Sequence, residues 1–159
     1  MKTMKCRFGL LALAIIMILV DQWTKSIVRA NLVDFQVKEF LPFWNWTLVY
    51  NEGAAFSFLA NQGGWQKIFF GAIAVAVSVG IVYFILKKTY TAISGLAFSL
   101  ILSGALGNLI DRLQHGKVTD FIDWYVGTHH WPAFNVADSC ICVGVALLVI
   151  ESLFFSKKS

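Results

Sequence analysis

The stretch IFFGAIAVAVSVGIVYFIL, residues 68–86, carries no charged side chain and lies between Lys67 and Lys87. A helix needs about 20 apolar residues to cross the hydrocarbon core of a bilayer. The rest of the chain has a similar character, because 58% of its residues are hydrophobic and 14% are charged. The stretch therefore predicts a membrane-spanning helix, and the composition predicts a single integral membrane domain over residues 1–159.

Two further apolar runs have a spanning length or come close to it. Residues 89–110 are uncharged, and residues 139–155 are interrupted at Glu151 alone. Each run predicts another transmembrane helix. The three cysteines of the chain show neither a disulfide pattern nor a metal-ligand pattern.

The first apolar run, residues 8–20, has the length of a signal-peptide core. It is followed by Asp21 and not by a small-residue cleavage site, so we expect an uncleaved helix that continues to about Arg29. The predicted fold is an all-α membrane protein with four transmembrane helices. We expect these helices at about 8–29, 66–87, 89–110 and 136–155.

The connections at about 30–65 and 111–135 are predicted to be outer loops. The first is long for so small a protein, and aromatic and β-branched residues in WNWTLVY, residues 44–50, are typical of strands. The following NEGAAFSFLA, residues 51–60, places Gly53 at a turn. We expect a short sheet or hairpin on the outer surface.

Basic residues predict the orientation of the helices. Cytoplasmic segments are rich in lysine and arginine, which places both termini in the cytoplasm. The residues concerned are Lys2, Lys5, Arg7, Lys87, Lys88, Lys157 and Lys158. All six tryptophans then fall on the outer side, where they would form an interfacial belt. The net charge of +4 is divided between the two sides of the membrane, which argues against nucleic acid as a partner.

Small residues recur every fourth position in two of the predicted helices. Such stripes allow helix backbones to approach closely in lipid. They comprise Gly95, Ser99, Ser103 and Gly107 in the third helix, and Ala72, Ala76 and Gly80 in the second. We expect close helix packing along both.

Polar residues gather toward the outer side of an otherwise apolar chain. They occur in five segments: DQWTK with Asp21 and Lys25, NEGAAFS with Asn51, GNLIDR with Asn108 and Arg112, VTDF with Asp120, and FNVADS with Asn135 and Asp138. A charge close to hydrocarbon is costly and commonly functional. The segments are therefore candidates for a site.

Each segment also has a purely structural interpretation. Asp21 and Lys25 are four apart and can form an ion pair within one helix. Arg112 can extend to the headgroups from a helix end, with Asp111 beside it at the rim. Asp138 can be a helix-start carboxylate favoured by the helix dipole. Asp123 is chemically equivalent to Asp120.

Two carboxylates from different segments form the minimal set of an aspartic protease. One accepts a proton from water, while the other is protonated and donates a hydrogen bond to the scissile carbonyl. The three histidines lack a zinc-binding spacing. A proton-coupled transporter and a noncatalytic assembly factor are the alternatives; a transport carboxylate should lie near the middle of the bilayer, whereas these acids lie near one face.

In order and spacing, DQWTK, NEGAAFSFLA, GALGNLIDR, VTDFID and AFNVADS resemble the signature segments of the bacterial lipoprotein signal peptidases, the type II signal peptidases. The resemblance covers essentially the whole chain. It implies a four-helix membrane domain with a small extracytoplasmic β-cradle. Thr119 is a mild departure, because members of that family often carry valine at this position.

The same resemblance implies the roles of individual residues. Asp120 and Asp138 would be the catalytic pair, in preference to Asp123 and Asp111. The residues that would hold the pair and the substrate, or support them, are Asp21, Lys25, Asn51, Gly53, Asn108, Arg112, Asn135 and Ala137.

The substrate implied by the resemblance is a prolipoprotein that carries diacylglycerol on its lipobox cysteine, and the cut falls immediately before that cysteine. Globomycin would be an inhibitor, and no metal or organic cofactor is implied. We expect a monomer in the bacterial inner membrane, in contact with membrane lipid, with its active site near the periplasmic face.

Overall fold

In the computed structural model, the described parts of the chain are residues 4–52 and 65–154. Four helices and four strands follow one another in the order α1 (Met4–Asn31), β1 (Val37–Leu41), β2 (Trp44–Asn51), α2 (Trp65–Lys87), α3 (Ala92–His115), β3 (Val118–Val126), β4 (His129–His130) and α4 (Val136–Phe154). The fold is therefore mostly helical with a small sheet, as the sequence predicted.

Three of the described helices are long and apolar enough to cross a membrane: Lys67–Lys87 within α2, Ala92–His115 and Val136–Phe154. Helix α1 has 28 residues but carries several charged side chains, and it is not among these three. Helix α3 lies at the centre of the bundle, where it packs against α1, α2 and α4.

Helix α3 starts later and ends later than the sequence predicted. Thr91 caps its first turn by accepting a hydrogen bond from the N–H of Ser94, so the helix begins at Ala92 and not at 89. It continues past residue 110 to His115, where Gly116 adopts a left-handed conformation with φ 77° and ends it. Asp111 and Arg112 therefore lie inside the last turns of α3 and not in a loop.

The small residues of α3 lie at helix contacts, whereas those of α2 do not. Gly95, Ser99, Ser103 and Gly107 are all buried. A side chain at Gly107 would place its Cβ 2.7 Å from the Asp21 carboxylate, so only glycine fits at this crossing. In α2, however, Ala72 and Ala76 are exposed. That part of the packing prediction was wrong, because α2 turns a different face inward, with Ile81 and Ile85 in the core.

The four strands form one antiparallel arrangement in the order β1-β2-β3-β4. Strand β2 covers the predicted strand region 44–50, and a second long strand, β3, lies where the sequence predicted an outer loop. A small core of Val28, Leu48 and Phe121 fixes the sheet to the end of α1. We call this the sheet end of the bundle.

The opposite end of the bundle brings together the basic segments. The Arg7 guanidinium donates hydrogen bonds to the carbonyls of Ile85, Leu86 and Lys88, which joins the start of α1 to the end of α2. Glu151, near the end of α4, accepts hydrogen bonds from Thr91 and Ser94 at the start of α3. We call this the basic end.

Candidate active site

The polar segments predicted from sequence converge at the sheet end of the bundle. Asp120 comes from β3, and Asp138 from the first turn of α4. Asn108 reaches them from α3, and Asn135 lies immediately before α4. Three separate elements thus supply one cluster, although the residues are far apart in the chain.

Asn135 contacts both aspartates. Its side-chain amide donates a hydrogen bond to Asp120 Oδ1 at 2.7 Å, and its backbone N–H donates to Asp138 Oδ2 at 3.3 Å. Its own side-chain oxygen accepts from the N–H of Asp138 at 2.9 Å. The last two bonds form a reciprocal helix cap, so Asp138 also has the structural role of a carboxylate at the start of a helix. Because the cap holds Asn135 in place, it also fixes Asp120 relative to Asp138.

Asn108 is the second amide of the cluster. Its side-chain nitrogen donates to Asp138 Oδ1 at 2.7 Å, and its oxygen accepts from Asn135 Nδ2 at 3.2 Å and from Lys25 Nζ at 2.9 Å. In both asparagines, therefore, the side-chain nitrogen donates to a carboxylate, and the side-chain oxygen accepts a hydrogen bond from another group. Such a network fixes the orientation of both acids.

A fully buried ion cluster lies next to these amides, and its Lys25 donates the hydrogen bond to Asn108 described above. Lys25 Nζ lies 2.9 Å from Asp21 Oδ2 and 3.3 Å from Asp111 Oδ2, and all three side chains are at most 1% exposed. The ion pair between Asp21 and Lys25 predicted within α1 is thus confirmed. Asp21 also accepts the backbone N–H of Ala137 at 2.9 Å, which joins α1 to the start of α4.

The remaining predicted residues lie around this cluster. Asn51, at the end of β2, forms a side-chain hydrogen bond with Asp120. The Arg112 guanidinium interacts electrostatically with Asp138 and Asp120, and its buried Nε has no hydrogen-bond partner within residues 4–52 and 65–154. Gly53 lies outside the described residues, so its predicted role is not addressed by the structure.

The environment of Asp120 favours a protonated carboxyl group. Its side chain is 3% exposed. Burial, and next the nearby charge of Asp138, raise the pKa of Asp120 to about 7, against the opposing effects of the Asn135 and Asn51 hydrogen bonds and of Lys25. An ordinary aspartate has a pKa of 3.8. At neutral pH this site can therefore hold a proton.

The roles of two further residues, Asp111 and Arg29, were not recognised from the sequence. Asp111 is 0% exposed, so its interpretation as a rim residue was wrong. Arg29 Nη1 lies 3.5 Å from Asp111 Oδ1 and donates to Thr119 Oγ1 at 2.9 Å. The available signals were the one acid of GNLIDR, Asp111, and a basic residue at the predicted end of α1, but neither indicated its distant partner.

Asp123 points away from this cluster. It accepts a hydrogen bond from Asn45 Nδ2 at 2.9 Å, and its Oδ1 lies 2.8 Å from His130 Nδ1. No group of three or more histidine, cysteine or acidic side chains suited to a metal ion occurs among the described residues. The cluster itself presents two carboxyl groups, of which Asp120 can hold a proton at neutral pH.

Comparisons with known proteins identify the family of the chain. A sequence model of the family described as signal peptidase (SPase) II matches residues 13–154. The chain is 52% identical to a lipoprotein signal peptidase of Alteromonas mediterranea over 134 residues, covering 84% of this chain and 74% of that one. It is 48% identical to a lipoprotein signal peptidase of Acinetobacter baumannii over 149 residues, covering 93% and 85% of the two chains.

Solved structures extend the similarity to the fold. A bacterial membrane enzyme determined by the in meso method at 2.3 Å resolution superimposes with a TM-score of 0.83 and 35% identity, covering 95% of this chain and 92% of that one. A second, at 1.9 Å resolution, gives a TM-score of 0.81 with the same identity, covering 95% and 94%. The chain therefore belongs to the signal peptidase II family of multi-pass membrane proteases, which cleave signal peptides from prolipoproteins.

Proposed function

We propose that this protein is an aspartyl endopeptidase that cuts diacylglyceryl-modified prolipoproteins immediately before the lipid-bearing cysteine. The observation that carries the proposal is that Asn135 donates hydrogen bonds to both Asp120 and Asp138, so that one residue links the two acids. A pair of carboxyl groups that shares a proton is the chemistry of aspartic proteases.

In the proposed mechanism, Asp120 holds the shared proton and Asp138 is ionised. Asp138 accepts hydrogen bonds from the Asn108 amide and the Asn135 N–H, and both donors favour its charged form. It takes a proton from a water molecule, whose oxygen attacks the scissile carbonyl carbon. Protonated Asp120 donates a hydrogen bond to the carbonyl oxygen and stabilises the tetrahedral intermediate. Asp138 then passes the proton that it took from water to the nitrogen of the lipid-bearing cysteine. The bond between the carbonyl carbon and this nitrogen breaks, and the signal peptide leaves with a new C-terminal carboxyl group.

Arg112 and Asn51 are proposed to bind the substrate backbone. The buried Nε of Arg112 has no hydrogen-bond partner in the described parts of the chain, so it can donate to a peptide carbonyl. Asn51 reaches Asp120 from β2 and can hold the same strand of substrate. Gly53 remains a sequence prediction for this region.

We further propose that α1 is a fourth transmembrane helix. Ala14 packs in the same core as Ile81, Ile85 and Leu102 of the spanning helices. The helix runs from the basic end, where Arg7 contacts α2, to the sheet end, where Val28 packs under the sheet. Its buried charges are paired inside the bundle, which lowers their cost in lipid.

The proposed orientation places the basic end in the cytoplasm and the sheet end at the periplasmic face of the inner membrane. Basic residues mark cytoplasmic segments, and the same end receives the starts of α1 and α3 and the ends of α2 and α4. Both termini would be cytoplasmic. A lipid-anchored cysteine in the outer leaflet would lie close to Asp120 and Asp138 there. The protein would act as a monomer among membrane lipids. Globomycin would bind at these two acids and inhibit cleavage.

Separate replacement of Asp120 and Asp138 by asparagine tests the catalytic assignment. We expect each variant to lose cleavage of a lipidated prolipoprotein by about 1,000-fold or more, because the proton transfers need both carboxyl groups. Asp34→Asn, which changes an exposed acid between α1 and β1, is the matched control. Normal turnover by purified, folded Asp120→Asn or Asp138→Asn protein would refute the aspartyl mechanism.

Chelation tests the proposal that the reaction needs no metal. We expect cleavage to be unchanged after treatment with EDTA, because both the base and the acid are side chains of the protein. Loss of activity on chelation, followed by recovery with zinc, would contradict this.

A further inference from the structure

Thr119, the residue immediately before Asp120, is held by three helical segments. Its backbone N–H donates to Asp111 Oδ2 in α3 at 2.9 Å, and its hydroxyl accepts from Arg29 in α1 at 2.9 Å. Its carbonyl accepts from Asn135 Nδ2 at 3.3 Å, at the start of α4. Because adjacent residues share a peptide plane, any shift of Thr119 moves Asp120 with it.

Asp111 is the acceptor that binds the backbone of Thr119. It is completely buried, and both of its oxygens are occupied: Oδ2 by the Thr119 N–H and Lys25 Nζ, and Oδ1 by the Arg29 guanidinium. Two acids, Asp21 and Asp111, therefore balance two cations, Lys25 and Arg29. A buried carboxylate paired in this way has little freedom to move.

Asn108 and Asp111 are three residues apart and lie on one face of α3. From this face Asn108 donates to Asp138 Oδ1, while Asp111 accepts the N–H of the residue before Asp120. One rigid stretch of helix thus contacts both sides of the aspartate pair.

We propose that α3 spaces the two carboxyl groups, with Asn108 holding Asp138 and Asp111 holding Asp120 through Thr119, so that Asp111 is a positioning residue for cleavage. This inference rests on the proposed function, because it takes Asp120 and Asp138 as the reacting pair. Asp111 does not touch the reacting atoms. It acts through the peptide that carries Asp120.

The test compares Asp111→Ala and Asp111→Asn with Asp123→Asn, which alters another buried acid of the same region outside the cluster. A small misplacement of a reacting group can cost about 100-fold in rate. We therefore expect Asp111→Ala to lower kcat by about 100-fold, with KM for the lipidated substrate within about threefold of the parent, since substrate contacts remain. Thermal unfolding of the same samples gives the fraction of folded protein, and each kcat is expressed per folded molecule.

Asp111→Asn provides the conservative rescue. Its amide oxygen can still accept the Thr119 N–H, so kcat should lie between those of the alanine variant and the parent protein. The isosteric asparagine variant also serves if the alanine variant does not fold, and the expected fall in kcat at constant KM then applies to it. Asp123→Asn should retain kcat.

The outcomes separate this inference from the proposed function. If Asp120→Asn is inactive but Asp111→Ala, or Asp111→Asn where alanine does not fold, keeps the parent kcat, the positioning role is wrong and the catalytic assignment stands. Equal losses of kcat in the Asp111 and Asp123 variants would also overturn it, because they would indicate a general effect of removing a buried acid. If Asp120→Asn is fully active, the proposed function itself fails.

Discussion

Asp120 and Asp123 lie on the same strand, yet their surroundings differ. Both are buried, at 3% and 7% exposure, and both accept a hydrogen bond from an asparagine amide. Because they are three residues apart, their side chains leave β3 on opposite faces. Asp120 faces the helices and the second acid, whereas Asp123 faces the half-exposed ring of His130.

The difference between the two aspartates concerns charge compensation. No basic side chain within residues 4–52 and 65–154 lies at ion-pair distance from Asp120, and the nearby Asp138 favours its proton. Asp123 has a potential counter-ion 2.8 Å away in His130. Burial and an amide partner are therefore common to both. What sets Asp120 apart is a second carboxylate nearby, where Asp123 has an imidazole ring.

The largest contrast should come from removing the amide partner of each aspartate. Asn135→Ala should lower kcat by about 100-fold, because Asn135 orients both carboxyl groups and one positioned donor is commonly worth that much. Asn45→Ala removes the equivalent donor from Asp123 and should change kcat by no more than about threefold. Steady-state cleavage of a lipidated prolipoprotein measures both, and similar losses would remove the distinction.

The pH profile should report Asp120 and not Asp123. With its pKa raised to about 7, Asp120 loses the shared proton as the pH rises through that value. We expect kcat/KM to fall about tenfold per pH unit above this pKa, which gives the pH profile a descending limb. Asn135→Ala removes a hydrogen bond that lowers the pKa of Asp120, so its limb should move to higher pH. Asp123→Asn should leave the limb in place, and a limb that moved in this variant would contradict the assignment.

Stability should depend on pH through the same group. The folded-state pKa of Asp120, about 7, is above the ordinary value of 3.8, so the folded protein binds this proton more tightly than the unfolded chain does. The contribution is complete below about pH 4 and is lost as the pH rises toward 7. Asp120→Asn should therefore raise the unfolding free energy at pH 8 by up to roughly 4 kcal/mol and leave it unchanged at pH 4. Thermal unfolding in detergent at both pH values measures this, and destabilisation at pH 8 would contradict it.

The smallest effect is expected at the outer side of β3. His130→Gln removes the half-exposed partner of Asp123, and such pairs contribute about 0–1 kcal/mol. Cleavage should remain at the parent rate, and thermal unfolding should show at most a slightly lower unfolding midpoint. A large loss of cleavage in His130→Gln would show that Asp123 and its partner belong to the active site.

The sequence predicted the local parts of this site well. The pairs Asp21 with Lys25 and Asn135 with Asp138 lie within one turn of a helix or at its cap, so their spacing alone brought them together. Strand β3 was missed because it is buried on both faces over most of its length, so the alternation that marks a half-exposed strand is absent. Asp111 was misjudged because Lys25 and Arg29 are more than eighty positions away in the chain.

The choice between Asp120 and Asp123 likewise could not be made from residue spacing or side-chain chemistry. Both are acids in one short segment, and what separates them is the direction in which each side chain leaves the strand. That direction depends on the pairing of β3 with β2, where Val49 lies opposite Asp120 and Asn45 lies opposite Asp123. Pairing between distant segments has no signal in a single sequence, and the resemblance to a known family supplied the preference.

In the proposed mechanism, Asp120 and Asp138 together hold the water molecule that attacks the substrate. A structure of the protein with a lipopeptide in which a secondary alcohol replaces the scissile amide tests it most directly, since the alcohol occupies the place of the attacked carbonyl. We predict that its hydroxyl oxygen lies within hydrogen-bonding distance of both carboxyl groups. A hydroxyl that contacts neither carboxyl group, or that binds beside Asp123 instead, would show that these two acids are not the reacting pair.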